Sequence, residues 1–260
     1  MEIPEPVRRQ ALDPFGTLPT PPDVELVELD GAIVSINPWP SAQVVLVAGD
    51  GPANVAATVE RSRAVARERG KATLAWWIAK EHDHLVPALE ANGIVNEDTP
   101  GFEAIENALA LVEPPPGTPA EGVEVGRAET WEEWRAANEV GRVVFGFPEM
   151  PEDYLRERYA RYCEGRDRGI ELFAAVDGRV VGSAYAAFGE AALNLFGASV
   201  LPEARGRGVY RSLVHARWEL AVERGTPALT VQAGRMSRPI CERMGFVFVD
   251  AVRVFVDPVR

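Results

Sequence analysis

The spacing of apolar and polar positions predicts strands and helices on both sides of a proline-rich segment. In the first half, short apolar or alternating runs predict strands at Val24–Leu29, Ala32–Ile36, Val44–Ala48, Ala72–Ile78 and, less regularly, Phe102–Val112. Apolar positions at helical spacing predict helices at Asn54–Arg69, which Gly70 ends, and at Leu85–Ala91. Six prolines precede residue 23 and remove backbone donors, so we expect an irregular arm over residues 1–22.

The second half begins with a strand signal at Val123–Arg127 and a capping box formed by Thr130 and Glu133. An Asp-Gly turn at residues 177–178, between two apolar runs, predicts a β-hairpin. The other strands are expected over residues 192–200, 228–232 and 246–256, and the helices over residues 130–144, 153–163, 209–224 and 237–244. These elements indicate a mixed α/β fold with a mainly antiparallel sheet and one crossover connection.

The proline-rich segment itself, EPPPGTP at residues 113–119, is the clearest boundary in the sequence. Such a segment is extended and semi-rigid, and it does not fit inside a core. We therefore divide the chain into the arm at residues 1–22, a first domain at 23–113, a linker at 114–120 and a second domain at 121–260.

The net negative charge of the chain argues against nucleic acid as a partner. The net charge is −12, and residues 1–119 carry 18 acidic and 8 basic side chains, against 21 acidic and 19 basic in residues 120–260. Such an acidic chain does not favour non-specific nucleic-acid binding. No run of about eighteen apolar residues is present, so we expect no membrane span. With 47% apolar residues, the composition is that of an ordinary globular protein.

The cysteines and histidines point to no metal site. Cys163 and Cys241 lie far apart and lack metal-binding spacing, and His82 and His84 have no evident third partner. The first residues also lack the apolar stretch of a signal peptide. We therefore expect a reduced protein in the cytoplasm.

The most informative stretch follows the strand that ends at Val200. Gly206 and Gly208 leave the backbone accessible, Arg205 and Arg207 add positive charge, and a helix begins at Val209. A helix N-terminus with free N–H groups binds anions, so this loop is a candidate pyrophosphate site. A solvated basic turn is the alternative. A dinucleotide fingerprint fits less well, because the third glycine would fall at Arg211, and the lysine of a P-loop is missing.

The run from Arg205 to Tyr210 resembles the acetyl-CoA loop R/Q-x-x-G-x-G/A of the GNAT-type N-acetyltransferases. The resemblance extends from about Val123 to the C-terminus and includes the order of elements and a closing Met-Gly-Phe. It implies a GNAT fold, with acetyl-CoA as co-substrate and Val200 presenting backbone groups to the acetyl and pantetheine part. The loop, including Val209, would hold the pyrophosphate. Tyr210 departs from the motif, which has glycine or alanine at that position.

The first half resembles the last half of the same fold. It repeats the order of strand, helix, strand and helix, but its turn at residues 49–54 contains Asp50 and Pro52 and no arginine. Asp50 would repel a pyrophosphate, and Pro52 removes one donor. We interpret this half as a degenerate GNAT-like domain, so that the fold occurs in tandem; an unrelated small α/β domain is the alternative.

The leaving thiolate of acetyl-CoA needs a proton in many enzymes of this family, where a tyrosine on the last helix supplies it. Cys241 takes that position here. A thiol could donate a proton, but a free cysteine more often packs as a small apolar residue.

The acceptor side leaves several candidates open. Glu190 and Glu149 are candidate general bases, and each could equally be a surface carboxylate. Phe145 and Phe147 lie in the loop that lines the acceptor entrance in the family. Asn194 could orient a substrate or satisfy backbone groups.

Together these features predict an acetyl-CoA-dependent N-acetyltransferase that acts on a primary amine of a small molecule or on an exposed amino group. The alternative is a module that binds acetyl-CoA without turnover and serves in regulation or interaction. A homodimer is conceivable, because the first half could mediate dimerisation.

Overall fold

The computed structural model describes residues 2–21, 24–37, 41–46, 51–99 and 102–259, and the end of the predicted strand Val44–Ala48 and the turn residues Gly49 and Asp50 lie outside them. The helices are α1 (Glu5–Leu12), α2 (Pro14–Thr17), α3 (Val55–Glu68), α4 (Val86–Ala91), α5 (Trp131–Phe145), α6 (Glu152–Glu164), α7 (Val209–Glu223) and α8 (Arg238–Arg243). The strands are β1 (Glu25–Leu29), β2 (Ala32–Ile36), β3 (Ser41–Leu46), β4 (Thr73–Ala79), β5 (Ile105–Leu111), β6 (Val123–Arg127), β7 (Gly169–Val176), β8 (Arg179–Phe188), β9 (Leu193–Val200), β10 (Leu229–Ala233) and β11 (Val247–Pro258).

The described strands form one mixed sheet in the order β1-β2-β3-β4-β11-β5-β10-β9-β8-β7-β6. Most neighbours are antiparallel; β3 with β4 and β9 with β10 are parallel. β5 precedes the proline-rich segment, yet it lies between β10 and β11 of the second half. The long strand β11 pairs with β5 near its start and with β4 near its end. Residues 23–113 and 121–260 therefore share one continuous sheet, and their division into two domains stays a prediction.

Helices cover both faces of this sheet. A side chain on Gly182 of β8 would contact Val209 and Leu213 of α7, whereas Ser183 lies beside Gly141 of α5. Because successive strand residues point to opposite faces, α7 and α5 pack on opposite sides. Leu109 of β5 packs in the cluster that contains α7, and the adjacent Ala108 packs with α1, which places α1 on the α5 side.

Several local predictions are confirmed. Thr130 and Glu133 form both hydrogen bonds of the capping box that starts α5. Asp177 and Gly178 both have positive φ angles, as the tight turn between β7 and β8 requires. The side chain of Asn54 caps α3.

The irregular arm predicted for residues 1–22 is wrong, because residues 5–17 form α1 and α2. Pro4 lies at the N-cap of α1, and Pro6 and Pro14 lie in the first turns of α1 and α2, where a helix loses no hydrogen bond. α1 buries Val7 and Ala11 against alanines of β5. The density of prolines led to the wrong prediction because these prolines lie at the first positions of helices.

Within the described residues, each half contains a parallel strand–helix–strand unit, β3–α3–β4 in the first and β9–α7–β10 in the second. In the first half, five consecutive residue pairs join β3 to β4, from Ser41–Thr73 to Val45–Trp77. In the second half, only Leu193–Leu229 and Asn194–Thr230 pair, and the two strands then diverge. The repeat supports the interpretation of the first half as GNAT-like. Among the helices of the described ranges, none is long and apolar enough to cross a membrane.

Candidate functional site

The loop between β9 and α7 leaves its backbone open. Gly206 and Gly208 have φ angles of 76° and 80°, which favour glycine. A Cβ on Gly208 would lie 2.6 Å from the Cβ of Ala120, whereas one on Gly206 would meet no described atom within 4 Å. Within the described part of the chain, no side chain caps the start of α7. The first N–H groups of this helix are therefore available to an anion.

Two arginine side chains give this loop positive charge. Arg205 and Arg207 are both exposed. The Nε atom of Arg205 donates to the carbonyl oxygen of Val200 at 3.4 Å, and Arg207 lies 3.5 Å from the carboxylate of Asp177. Long, exposed contacts of this kind contribute little stability, so both guanidinium groups can turn to a bound anion.

A bulge and the divergence from β10 open one edge of β9. Ser183 and Tyr185 of β8 pair with Ser199 and Phe196, so two residues of β9 lie opposite one residue of β8. Gly197 lies in this bulge with a φ angle of 56°. Since β9 and β10 separate after Asn194, the following backbone groups of β9 lack a partner in β10 and face the gap between the strands.

The equivalent turn of the first half is closed. Pro52 is buried, and a Cβ on Gly31 would lie 2.4 Å from the nitrogen atom of Pro52. Gly51 is covered by the side chain of Leu85. The described part of this turn thus resembles the second-half loop in position but not in access.

Cys241 is fully buried on α8, at the position from which the family's tyrosine would act. Its Sγ atom lies 3.4 Å from the Oη atom of Tyr210. Burial raises the pKa of the Cys241 thiol and that of the Tyr210 phenol, so both groups stay protonated at neutral pH. This environment favours the packing role of Cys241, and its role as a general acid stays a prediction.

A cavity of about 170 Å³ lies on the α5 face of the sheet. Its walls come from α5, α6, the segment after α5 and strands β7 to β9; they include Trp134, Phe147, Glu149, Met150, Leu155, Arg158, Glu171, Ser183 and Gly197. Two predicted residues, Phe147 and Glu149, thus line one pocket together with the bulge of β9. Phe145 is exposed and contacts the ring of Phe147, at 5.8 Å between centroids, without lining the pocket.

Glu171 of β7 lines this cavity and was missed by sequence reasoning, as were the charged residues Arg135, Glu139, Arg142 and Arg158. Burial raises the pKa of Glu171 to about 8, although the nearby positive charges of Arg158 and Arg217 act in the opposite direction. Its neighbours Ile170 and Leu172 point to the α7 face and pack in the core. A carboxyl group inside such an apolar strand is the sequence signal that could have revealed it.

Two predicted residues lie away from the pocket. Glu190 is exposed in the turn before β9, and the strand that separates it from the anion loop is roughly 23 Å long. Glu190 does not line the cavity on the α5 face, and its role as general base stays a prediction. Asn194 is 1% exposed and accepts a hydrogen bond from Thr230, which also receives one from Gln10 of α1. Asn194 is part of a buried network and does not line this cavity, and its role in substrate binding stays a prediction.

Comparisons with known proteins agree with this geometry. Residues 128–246 match the model of the acetyltransferase (GNAT) family. A GCN5-related N-acetyltransferase from Kribbella flavida is 18% identical, with a TM-score of 0.70 over 97% of this chain and 95% of that chain. A GCN5-related N-acetyltransferase from Sphaerobacter thermophilus is 15% identical, with a TM-score of 0.65 over 88% and 77%.

A tandem GNAT protein from the clavulanic acid biosynthesis pathway, solved without AcCoA, is 15% identical, with a TM-score of 0.61 over 98% of this chain and 88% of that chain. No curated protein sequence matches. The structural similarity covers both halves of the chain and confirms the predicted mixed fold.

Proposed function

We propose that this protein, whose residues 128–246 match the model of the acetyltransferase (GNAT) family, transfers an acetyl group from acetyl-CoA to a primary amine of a small molecule or to an exposed amino group. The observation that carries the proposal is the open loop from Arg205 to Gly208, which lies at the start of α7 and follows a strand that diverges from its parallel neighbour. Loop amides and the two arginines would hold the pyrophosphate.

Acetyl-CoA, when bound, supplies the acetyl group as an activated thioester. The chain contributes an acceptor pocket on the α5 face, which reaches β9 at Gly197. A cavity of about 170 Å³ suits a small amine or the end of a longer one. Trp134, Met150 and Leu155 give the pocket an apolar part that suits a hydrocarbon group beside the amine, and charged side chains line the rest, among them Arg135, Glu139, Arg142 and Arg158.

Glu171 is our candidate for the general base. An amine attacks only in its neutral form, so a nearby carboxylate must take a proton from it. A carboxyl group with a pKa of about 8 accepts a proton more readily than an ordinary glutamate does. Glu149, the base candidate from the sequence, lines the exposed rim of the same pocket.

The compartment and the partners are part of the proposal. Cys163 and Cys241 are free thiols, and Cys163 is exposed, which supports the reducing cytoplasm as the site of action. The acidic surface supports a small-molecule partner in preference to nucleic acid. Sedimentation analysis would test the predicted homodimer.

A non-catalytic acetyl-CoA-binding module is the second candidate, and the buried Cys241 in place of a tyrosine favours it. Calorimetry with acetyl-CoA, followed by measurement of free thiol over a panel of small amines, separates the two. Binding with thiol release supports the enzyme, and binding without thiol release supports the module. If acetyl-CoA does not bind, both are wrong.

A further inference from the structure

Arg158 lies on the face of α6 that borders the cavity on the α5 face of the sheet. Leu155, Arg158 and Tyr162 are spaced by three and four residues, so they share one face of this helix. The hydroxyl group of Tyr162 accepts a hydrogen bond from the backbone N–H of Glu171 at 3.3 Å. Leu155, Arg158 and Glu171 all line the cavity. This face of α6 therefore brings Arg158 close to Glu171 of β7.

The guanidinium group of Arg158 packs near the aromatic wall of the cavity. Its Cζ atom lies 5.7 Å from the ring centre of Trp134, a buried residue of α5, and the arginine is half-buried. Its positive charge lowers the pKa of Glu171, which agrees with the short separation of the two side chains. Burial outweighs that effect and raises the pKa of Glu171 to about 8, so this carboxyl group is mostly protonated at pH 7 and leaves the positive charge in place.

The other charged side chains of the cavity add little to the charge beside β7. Arg142 donates two hydrogen bonds to the carboxylate of Glu139, at 2.6 and 2.7 Å, so the charges of this pair balance. Arg135 is exposed and donates to Glu152 at 3.1 Å, and Glu149 is exposed. Solvent screens exposed charges of this kind.

A positive charge in the half-buried wall of a small cavity favours a ligand that carries an anionic group. Arginine binds a carboxylate especially well, through two parallel N–H···O hydrogen bonds. A hydrocarbon amine has no such group, whereas an amino acid carries a carboxylate next to its amine. The spacing of these two groups matches the proximity of Arg158 to Glu171, and the apolar wall of Trp134, Met150 and Leu155 suits the remaining side chain.

We propose that the acceptor is an amino acid with a small apolar side chain, whose carboxylate binds the guanidinium group of Arg158 while its amine lies beside Glu171. This inference rests on the proposed function and narrows the acceptor to one class. The amine nitrogen bonds to the acetyl carbon, the bond from that carbon to sulfur breaks, and one amine proton passes to Glu171. CoA leaves as its thiolate, and the product is an N-acetylated amino acid.

The test compares Arg158→Gln with Arg156→Gln, a matched change on an exposed arginine of α6 whose Cζ atom lies 3.8 Å from the ring centre of Trp131. Thiol release is measured with leucine and with 3-methylbutylamine, which is leucine without its carboxylate. For Arg158→Gln we expect the ratio of kcat/KM for leucine to that for 3-methylbutylamine to fall roughly tenfold or more, because a charged hydrogen-bonded contact is lost. Arg156→Gln should leave this ratio within about twofold of wild type. A change in the pKa of Glu171 affects both acceptors and cancels in the ratio.

The wild type supplies a second readout that does not depend on the folding of a variant. 4-Methylpentanoate, which is leucine without its amine, should compete with leucine, and the neutral 4-methylpentanamide should inhibit roughly tenfold more weakly. Equal inhibition by the two compounds overturns the inference, as does an unchanged ratio in folded Arg158→Gln. Acetylation of amines that lack a carboxylate, but not of leucine, overturns it as well and leaves the proposed function standing. If no amine releases thiol from acetyl-CoA with the wild type, the proposed function itself is contradicted.

Discussion

Replacement of Glu171 by glutamine should slow acetyl transfer and, at alkaline pH, stabilise the protein. The two effects have one cause, the raised pKa of a carboxyl group that burial keeps neutral. As a base, Glu171 works only when ionised, so kcat/KM should rise tenfold per pH unit up to about pH 8 and then level off. Loss of a positioned base lowers the rate by roughly 10²–10⁴-fold.

The effect on stability follows from the difference between the folded and unfolded pKa. With a folded pKa of about 8 and an ordinary value of 4.5, the folded state holds a proton that the unfolded state has released. The contribution of protonated Glu171 to the free energy of unfolding is therefore fully present below pH 4.5 and is lost as the pH rises through about 8. The pKa difference sets an upper bound of about 5 kcal/mol. Glu171 is partly exposed and borders a cavity of about 170 Å³ that water can enter, so we expect about 2 kcal/mol, or roughly 4 °C.

The assay follows thiol release from pH 6 to 10 for wild type, Glu171→Gln and Glu149→Gln, a matched change on the exposed rim of the same pocket. The acceptor amine titrates too, and the Glu171→Gln profile isolates that contribution. Melting curves should show a higher melting temperature for Glu171→Gln than for the wild type at pH 9, and no difference at pH 4. If Glu171→Gln keeps the wild-type rate and pH profile, or if Glu149→Gln is the variant that loses activity, our assignment of the base is wrong.

Three further changes test other parts of the structure. The double variant Arg205→Ala and Arg207→Ala should bind CoA roughly 100-fold more weakly, because two charge-assisted contacts are lost. Its melting temperature should stay within about 2 °C of wild type. If calorimetry gives the same CoA affinity for the double variant and the wild type, the pyrophosphate site is wrong. Cys241→Ala should keep turnover within about twofold and lower stability by about 1 kcal/mol; lost thiol release with an unchanged melting curve would restore its role as the acid. The Nη2 atom of Arg63 lies 2.9 Å from the Oδ1 atom of Asp257. Asp257→Asn removes this ion pair and should lower the free energy of unfolding, measured by denaturant titration, by about 3 kcal/mol. Arg69→Gln, which breaks an exposed ion pair, is the control, and a larger loss of unfolding free energy in Arg69→Gln than in Asp257→Asn would contradict this prediction.

Local signals in the sequence were sufficient for most elements and for the anion loop. The capping box at Thr130 and the turn at Asp177 act through bonds between residues three or four apart, so the pattern contains all the information. The glycines and arginines of the loop are likewise adjacent in the chain. Pattern reading detects chemistry that is confined to a short stretch of sequence.

Long-range contacts were beyond that reach. Nothing near β5 indicates that its partners are β10 and β11, more than 100 residues away. Glu171 becomes a candidate base only because α5 and α6 close a pocket over β7. The helix α1 is stabilised by packing against apolar residues of a strand that is distant in the sequence. This packing could not be predicted from the nearby prolines, which suggested an irregular segment.

The position of β5 between two later strands also bears on synthesis of the chain. A ribosome completes β5 more than 100 residues before β10 and β11, which at 5–20 residues per second is a wait on the order of ten seconds. During that time both edges of β5, and the edge of β4 that β11 will cover, expose unpaired backbone groups. Such edges can pair with other chains, so we expect shielding by a chaperone to raise the yield of folded protein. The yield of folded protein in a cell should therefore follow chaperone capacity more closely than the stability of the finished fold.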